Sequence, residues 1–307
     1  MTDIKRLGLG CMGMNLSNKE RSIETIHYAL DHGITMFNTG EFYGGGESEL
    51  VLREALQGVP RDQYFLSVKF GVLPRPEGGI YGLDVNPYHV KAHLAYSLHR
   101  LGVDYVDLYE PARMDEAVPV EELMQALADV EGEGYIRSIG LTQLSADELE
   151  RAAKVHPVRL LEMDYSLVNR SIESNGVLDT ARRNGIETIT FGVLCHGLLS
   201  DSSPAWRRPG LPPEFQDQLL GGLRKIADEK GTTVEKLAQA YVYAKNPDMS
   251  VLIGTTRKEH LQDAIDALSL DLSAEDVSRI EAAFPSELTK GLPMRNMKFR
   301  DGRIVGR

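Results

Sequence analysis

A phenol and an amine are the residues of this chain best placed to do chemistry. Tyr43 follows the apolar run that ends at Asn38, and Lys69 lies at the end of the next one, Phe65-Leu-Ser-Val-Lys69. A free tyrosine titrates near pKa ~10 and donates a proton poorly at neutral pH unless a cation stabilises its phenolate. Lys69 can be that cation, and a lysine-activated phenol suits protonation of a carbonyl oxygen during reduction. The plainer reading makes Tyr43 a half-buried loop aromatic and Lys69 a strand-end charge. Their joint placement favours the chemical one.

The elements that must position this pair follow from hydrophobic period. Short β-branched or apolar runs over 6–9, 34–38, 65–70, 105–109, 139–142, 160–164, 188–193 and 250–254 read as strands. Amphipathic runs over 18–31, 47–56, 87–101, 120–132, 146–155, 172–183 and 234–244 read as helices between them. Gly33, Gly102, Gly134 and Gly185 close four of these helices shortly before an apolar strand, the usual helix-to-strand connection. Eight such units favour a (β/α)8 TIM barrel, with an open doubly wound sheet as the competing architecture. No linker or low-complexity tract divides the chain, so residues 1–307 are expected to form one domain.

Composition narrows the function. With 42% hydrophobic and 26% charged residues, the chain has the make-up of a soluble protein with a sizeable core. Its net charge of -11 argues against a nucleic-acid surface, so an anionic ligand needs a local basic patch. Cys11 and Cys195 show no paired spacing and the N-terminus has no apolar leader, which points to a reducing cytoplasm; no run is long enough to span a membrane.

Two motif matches fail on context. Gly8-Leu-Gly10-Cys-Met-Gly13 fits G-x-G-x-x-G, yet only a short polar stretch precedes it and residues 15–18 separate it from the next helix; a tight glycine turn is the better reading. His89 and His93 are four apart on an expected helix, but no third ligand completes a metal site, so they are read as helix-surface histidines.

In a barrel, active sites gather at the C-terminal ends of the strands. Asn38, Lys69, Arg113, Thr142, Gln143, Glu162, Phe191 and the Gly254–Lys258 turn all fall there. In this order, GLGCMGM, FNTGEFYGGGESE, SVKFG, DYVDLYEPARMD, IGLTQLS, MDYSLVNRSIE and LIGTTRKEHL resemble the aldo-keto reductase superfamily over nearly the whole chain. The resemblance implies a (β/α)8 barrel that uses NADPH to reduce a small-molecule carbonyl compound. Of the family's catalytic aspartate, tyrosine, lysine and histidine, two match as Tyr43 and Lys69. The aspartate position is Asn38 and the histidine position is Ala112.

An asparagine can still hydrogen-bond Lys69 but withdraws the negative charge, so Lys69 is expected to lose its proton more easily. While Lys69 stays charged, Tyr43 is expected to be at least as acidic as in the family. Ala112 opens the pocket, with Phe42, Phe70 and Arg113 as its expected neighbours. The short Gly-Glu-Phe-Tyr and Pro-Ala-Arg contexts are similar to a pyridoxal reductase-like branch, which implies room for an aromatic aldehyde such as pyridoxal.

The resemblance also distributes cofactor roles. Thr142, Gln143 and Glu162 fall where the nicotinamide carboxamide is held, positions usually serine, asparagine and glutamine. Phe191 falls where a ring, usually tyrosine, stacks on the nicotinamide. Cys11, Met12, Gly192 and Leu194 are further expected contacts. Gly254, Thr255, Thr256, Arg257 and Lys258, with His260 and Asp263, fall at the adenosine 2'-phosphate end and imply NADPH rather than NADH. Ala264 stands where a polar adenine contact is usual. Glu110 and Arg113 are read as a structural pair or pocket rim, and the loop over 200–215, with Trp206, Arg207, Arg208 and four prolines, as a lid. A nucleotide-sensing or partner-binding module on the same fold is the alternative function; a metal-dependent hydrolase is weaker, because no strand carries His-x-His.

Overall fold

A computed structural model of the chain describes residues 6–201, 212, 214–290 and 297–306. Eight parallel strands form the central sheet: β1 (Leu7–Gly10), β2 (Met36–Gly40), β3 (Phe65–Phe70), β6 (Leu108–Pro111), β7 (Gly140–Thr142), β8 (Leu160–Asp164), β9 (Glu187–Phe191) and β10 (Met249–Gly254). Two parallel bridges, Val106 to Ile136 and Tyr109 to Ile139, join β6 to β7 and close the sheet into the expected (β/α)8 barrel. The competing open sheet is thereby excluded.

Strand alternation sorts side chains between two cores. Met36, Phe65, Leu108, Leu160, Ile189 and Leu252 make a small apolar cluster inside the barrel. Gly8 and Gly140 complete that layer where a side chain would crowd its neighbours: a Cβ on either would lie 2.8 Å from the end of Leu252 or Leu108, which would have to shift. The residues two further along each strand include Asn38, Ser67, Glu110, Thr142, Glu162 and Phe191, which sets a mostly polar layer above an apolar plug. The other side of each strand faces the helices in the main core.

The helices form where pattern and caps agree. Helix α4 (Val120–Gly132) buries Val120, Leu123, Met124, Leu127 and Val130, a single stripe at helical spacing. Helix α5 (Ala146–Val155) starts from a capping box in which Ser145 Oγ accepts from the Glu148 amide and Glu148 reaches back to the Ser145 amide. The four closing glycines all take left-handed conformations, with φ of 72°, 69°, 86° and 66° at Gly33, Gly102, Gly134 and Gly185.

Some boundaries move for identifiable reasons. The strand expected over 105–109 begins only at Leu108, since Val106 makes an isolated bridge. The helix expected over 172–183 is split by left-handed Gly176, leaving a 3-10 turn and α6 (Val177–Arg183). Helix α3 (Val90–Leu101) starts after His89. Sequence pattern missed α7 (Phe215–Glu229) and α10 (Ala274–Ala283).

It also missed a second, four-stranded sheet. The hairpin of β4 (Val72–Pro74) and β5 (Ile80–Leu83) leaves the end of β3 and pairs with the C-terminal hairpin of β11 (Lys298–Arg300) and β12 (Arg303–Gly306). Asp115 anchors the C-terminal hairpin: its carboxylate accepts the Asp301 and Gly302 amides at 3.0 and 2.7 Å, and Phe299 is buried. The chain's last hairpin is therefore tied to the loop carrying Ala112 and Arg113. Trp206, Arg207 and Arg208 of the expected lid lie outside the described residues, and no described helix is long and apolar enough to cross a membrane.

Hydrogen bonds to a charged acceptor contribute roughly 1.5–3 kcal/mol, and the two at Asp115 are part-buried. Asp115→Ala is expected to lower unfolding free energy by about 2 kcal/mol and to speed hydrogen exchange at Asp301 and Gly302 selectively. Denaturant melts with residue-resolved exchange measure both; unchanged protection at these amides would contradict the anchoring role.

Candidate active site

Tyr43 is set by the glycines behind it. Gly44, Gly45 and Gly46 all have positive φ (60°, 65° and 98°), and a Cβ at Gly46 would sit 2.7 Å from the Arg100 side chain. Three residues free of the left-handed penalty let the chain turn sharply after Tyr43 into α2 (Glu47–Ala55). Glu41 fixes the approach: its carboxylate accepts the Gly71 amide at 2.7 Å and pairs with His93 Nδ1 at 2.8 Å. Phe42 packs edge-on against Tyr43, with ring centroids 4.7 Å apart.

The polar layer of the barrel is one connected network. Lys69 Nζ donates to Asn38 Oδ1 and forms an ion pair with Glu162 Oε2 at 2.7 Å. Asn38 Nδ2 donates to Glu162 Oε2 (2.9 Å), to Ser67 Oγ (2.9 Å) and to Glu110 Oε1 (3.3 Å). Ser67 and Thr142 hydroxyls donate to the two oxygens of Glu110, each at 3.0 Å. Glu110 is 3.9 Å from Lys69 Nζ. Asn38, Lys69, Glu110 and Glu162 are each less than 5% exposed.

These contacts reverse one expectation. Burial alone would push the Lys69 pKa down, but the Glu162 carboxylate, Tyr43 and Glu110 together hold it above the ordinary lysine value. Lys69 is therefore kept charged although Asn38 carries no charge. Tyr43 is also not made more acidic: burial raises its phenol, Lys69 and Arg113 pull down, Glu162 and Glu110 push up, and the net direction is upward. Glu110 is pushed up to about 8 by burial and by the Glu162 charge, against the pull of Lys69, Ser67 and Thr142.

Strand alternation corrects two further assignments. Lys69 faces the barrel axis, so Phe70 faces outward, where it is fully buried and stacks on Tyr109 with centroids 4.5 Å apart; it does not line the pocket. Cys11 is likewise buried in the main core; its thiol donates to Leu9 O, its carbonyl accepts from Ser48 Oγ, and burial pushes it up to about 12. It presents no surface to a ligand. Glu110 turns inward to Ser67 and Thr142 instead of forming a rim pair with Arg113, whose Nη1 donates to the Ala112 carbonyl. Ala112 lies two beyond Glu110 and is 2% exposed.

The remaining residues surround the same mouth. Gln143 takes φ 55°, its amide donates to the Glu162 carbonyl, and its Oε1 accepts from the Asp164 amide. Gly192 takes φ 74°, and a Cβ there would meet Asp164 Oδ1 at 2.8 Å. Phe191 is half-buried on the apolar plug and Leu194 is partly buried against the main core. Met12 is exposed, and Gly13 lies beside Thr256, which brings the first turn against the last.

At that last turn, Thr255 Oγ1 accepts the Arg257 amide at 3.0 Å and lies 3.3 Å from His260 Nδ1. Arg257 is exposed at the N-cap of α9 (Lys258–Leu268), which has no side-chain cap. Lys258 pairs with Glu24, and Asp263 with Lys236. A Cβ on exposed Gly254 would meet nothing within 4 Å. An uncapped helix start beside an exposed guanidinium and open backbone suits a phosphate, while the partly exposed Gln143 and Phe191 offer a polar group and a ring at the barrel mouth, above the buried Thr142 and Glu162. The residues present thus fit a dinucleotide cofactor.

Among the described residues, no group of three or more His, Cys, Asp or Glu side chains could hold a metal ion. His89 pairs with Asp84 at 2.8 Å, while His93 is less exposed than a helix-surface histidine and lies between Glu41 and Asp84. Sequence reasoning missed Ser67, Glu41 and the inward turn of Glu110. Period two from Lys69 back to Ser67, and from Leu108 to Glu110, was the available signal.

Comparison with known proteins agrees with this geometry. The chain matches the family model described as "Aldo/keto reductase family" over residues 6–284. It is 31% identical over 302 residues to the probable aldo-keto reductase 1 of Glycine max, covering 92% of this chain and 86% of that protein. Its fold is similar to the glycerol dehydrogenase AKR11B4 from Gluconobacter oxydans (TM-score 0.81, 24% identity, 92% of each chain). It is also similar to the holo form of aldo-keto reductase AKR11C1 from Bacillus halodurans (TM-score 0.78, 23% identity, 92% of this chain and 93% of that one). The chain belongs to the aldo/keto reductase family of oxidoreductases, whose members use nicotinamide cofactors on small-molecule carbonyl compounds.

Proposed function

We propose that this protein is an NADPH-dependent reductase of an aldehyde or ketone, with Tyr43 as proton donor and Lys69 as the cation that governs it. The observation that carries the reading is the Lys69 ammonium, held charged by Glu162 at 2.7 Å in the layer from which it acts on Tyr43. A buried ammonium kept by a dedicated counter-ion is costly to install for packing alone. When bound, the reduced nicotinamide supplies the hydride. As the carbonyl oxygen gains charge, Tyr43 transfers its phenolic proton to it, and Lys69 stabilises the phenolate that remains.

The raised Tyr43 pKa suits the reductive direction, since the phenol is fully protonated at neutral pH and ready to donate. Thr142, Gln143, Glu162, Phe191, Gly192 and Leu194 are the proposed nicotinamide-side contacts. Gly254, Thr255, Thr256, Arg257, Lys258, His260 and Asp263 are proposed at the phosphate end. Arg257 is free to face a 2'-phosphate, while Lys258 has to exchange its Glu24 partner for it. Ala112, next to Arg113, contributes only a methyl group at this end of β6, and the partly buried Phe42 ring stands edge-on to Tyr43. That combination suits an aromatic aldehyde bearing an acidic substituent, of which pyridoxal is an example.

Three outcomes follow. Tyr43→Phe is expected to lower kcat for a carbonyl panel including pyridoxal by about 100-fold or more, with NADPH binding retained by fluorescence. Tight binding with no turnover by the wild type, or full turnover by the Phe variant, would defeat the reading. Arg257→Ala with Lys258→Ala is expected to weaken NADPH by roughly 10- to 100-fold and to leave NADH almost unchanged; equal losses for both would remove the 2'-phosphate assignment.

The third concerns pH. Because Glu110 titrates at about 8 in the folded chain instead of at 4.5, the folded state holds an extra proton between these values. The stability this proton represents is complete below about pH 4.5 and disappears as pH rises through about 8. Glu110→Gln removes that dependence, so relative to the wild type the variant gains stability across this window, by at most about 1.4 kcal/mol per pH unit. Urea unfolding at pH 5 and pH 8.5 reads the difference, and parallel curves for the two proteins would refute it.

A further inference from the structure

Three ionisable groups face Lys69, namely Tyr43, Glu110 on β6 and Glu162 on β8, while the Cys11 thiol feels its charge from the outer side of β1. Cys11 and Tyr43 are neutral at physiological pH, because both are raised by burial. The counter-charge must come from a carboxylate. Glu110 has both oxygens engaged by Ser67, Asn38 and Thr142 and stands 3.9 Å from Nζ. Glu162 Oε2 is 2.7 Å from Nζ and 2.9 Å from Asn38 Nδ2, while Asn38 Oδ1 accepts from the same ammonium. Lys69, Asn38 and Glu162 thus close a three-membered ring of contacts.

The family resemblance placed an aspartate at 38 and a glutamine at 162. This chain has an amide at 38 and a carboxylate at 162. We infer that the two groups have been exchanged across the barrel mouth, making Glu162 the positioning residue that keeps Lys69 protonated and Asn38 the neutral spacer that aligns them. The inference rests on the reductase reading and deepens it: Glu162 acts through Lys69 besides any contact with a nicotinamide. A carboxylate only accepts hydrogen bonds, so Glu162 can hold an ammonium by charge where a glutamine cannot. Asn38 has one orientation that satisfies all its neighbours, oxygen toward the ammonium and nitrogen toward the carboxylates.

The test compares the wild type with Glu162→Gln, Asn38→Asp/Glu162→Gln and Glu110→Gln. Lys69 protonation is followed by 15N-lysine NMR of the unliganded protein, with the signal identified by Lys69→Met, and kcat and KM are measured across pH. In Glu162→Gln the Lys69 midpoint is expected to fall by about 1 unit or more and kcat by about 100-fold, with kcat carrying more of the loss than KM. The double variant contains the same two group types as the wild type, in exchanged places, and is expected to recover both the midpoint and most of kcat. Glu110→Gln, which removes the more distant carboxylate at 3.9 Å, is expected to lower the Lys69 midpoint by clearly less than Glu162→Gln does.

An unmoved Lys69 midpoint in Glu162→Gln, or a double variant no better than that single one, overturns the inference. So does an equal shift in Glu110→Gln. If Glu162→Gln alone does not fold, the double variant decides against the wild type. The NMR readout needs no substrate: a wild type that turns over no carbonyl while its Lys69 midpoint follows Glu162 defeats the reductase reading and leaves the charge exchange standing.

Discussion

The burial of one ammonium group governs the arrangement of this barrel's mouth. Lys69 is 4% exposed, and an uncompensated charge at that depth costs several kcal/mol. Once it is placed there, Glu162 must face it, and the surplus acceptor and donor positions of the pair must be filled. Asn38 fills one on each partner, and through Asn38 the demand passes to Ser67 and Glu110, then to Thr142. The network is closed by hydrogen bonds to hydroxyls and an amide, which is the condition under which a buried ion pair is tolerable.

The barrel can hold such a layer because of what lies beneath it. Six large apolar side chains, with Gly8 and Gly140 where a seventh and eighth would collide, seal the interior below the ion pair. The seal keeps the dielectric low on one side of Lys69, and low dielectric strengthens both the pairing and the field on Tyr43. The same period-two alternation that points Lys69 inward sends Phe70 to the helix layer, where it stacks on Tyr109 and approaches His93. Polar layer and outer core are therefore written into alternate letters of the same strands.

That alternation also separates what the sequence disclosed from what it hid. The ranges 65–70, 160–164, 120–132 and 146–155 were legible to the residue, because strong apolar periodicity coincided with turn residues or a capping box at each end. Helix α10 carried an equally clear signal, Ser273 with Asp276 at its start, and was overlooked because its apolar face is thin, with only Ile280 fully buried. The two hairpins are three or four residues per strand and half polar, too short for period two to speak. At the site, Lys69 and Asn38 do meet as their positions implied, yet Lys69 is held more firmly protonated than the neutral Asn38 suggested. Pairwise substitution logic treated Asn38 as a lost charge, whereas the charge had a second source on β8, far away in sequence. Phe70 and Cys11 were expected at the pocket and among the cofactor contacts; counting from Lys69, or from inward Gly8 and Gly10, turns both outward.

The number of protons in the cluster shapes how the proposed donor works. With Glu110 held up to about 8, the neutral-pH state of the layer is one ammonium, one carboxylate and one carboxylic acid, with the Arg113 guanidinium as a second cation near Tyr43. Tyr43 then feels the Lys69–Glu162 pair and the Arg113 cation, and burial keeps its phenol above the ordinary tyrosine value. This is little handicap for reduction, because hydride addition to a carbonyl creates an alkoxide far more basic than any phenolate, and proton transfer to it runs downhill. It is a larger handicap for oxidation, which needs the phenolate before the hydride leaves. As pH rises past about 8 and Glu110 ionises, the added negative charge raises the phenol further, so alkali does not simply prepare the base that oxidation requires. The inferred exchange of carboxylate and amide, with a second acid in reserve, therefore tilts the same tyrosine and lysine toward giving a proton rather than taking one.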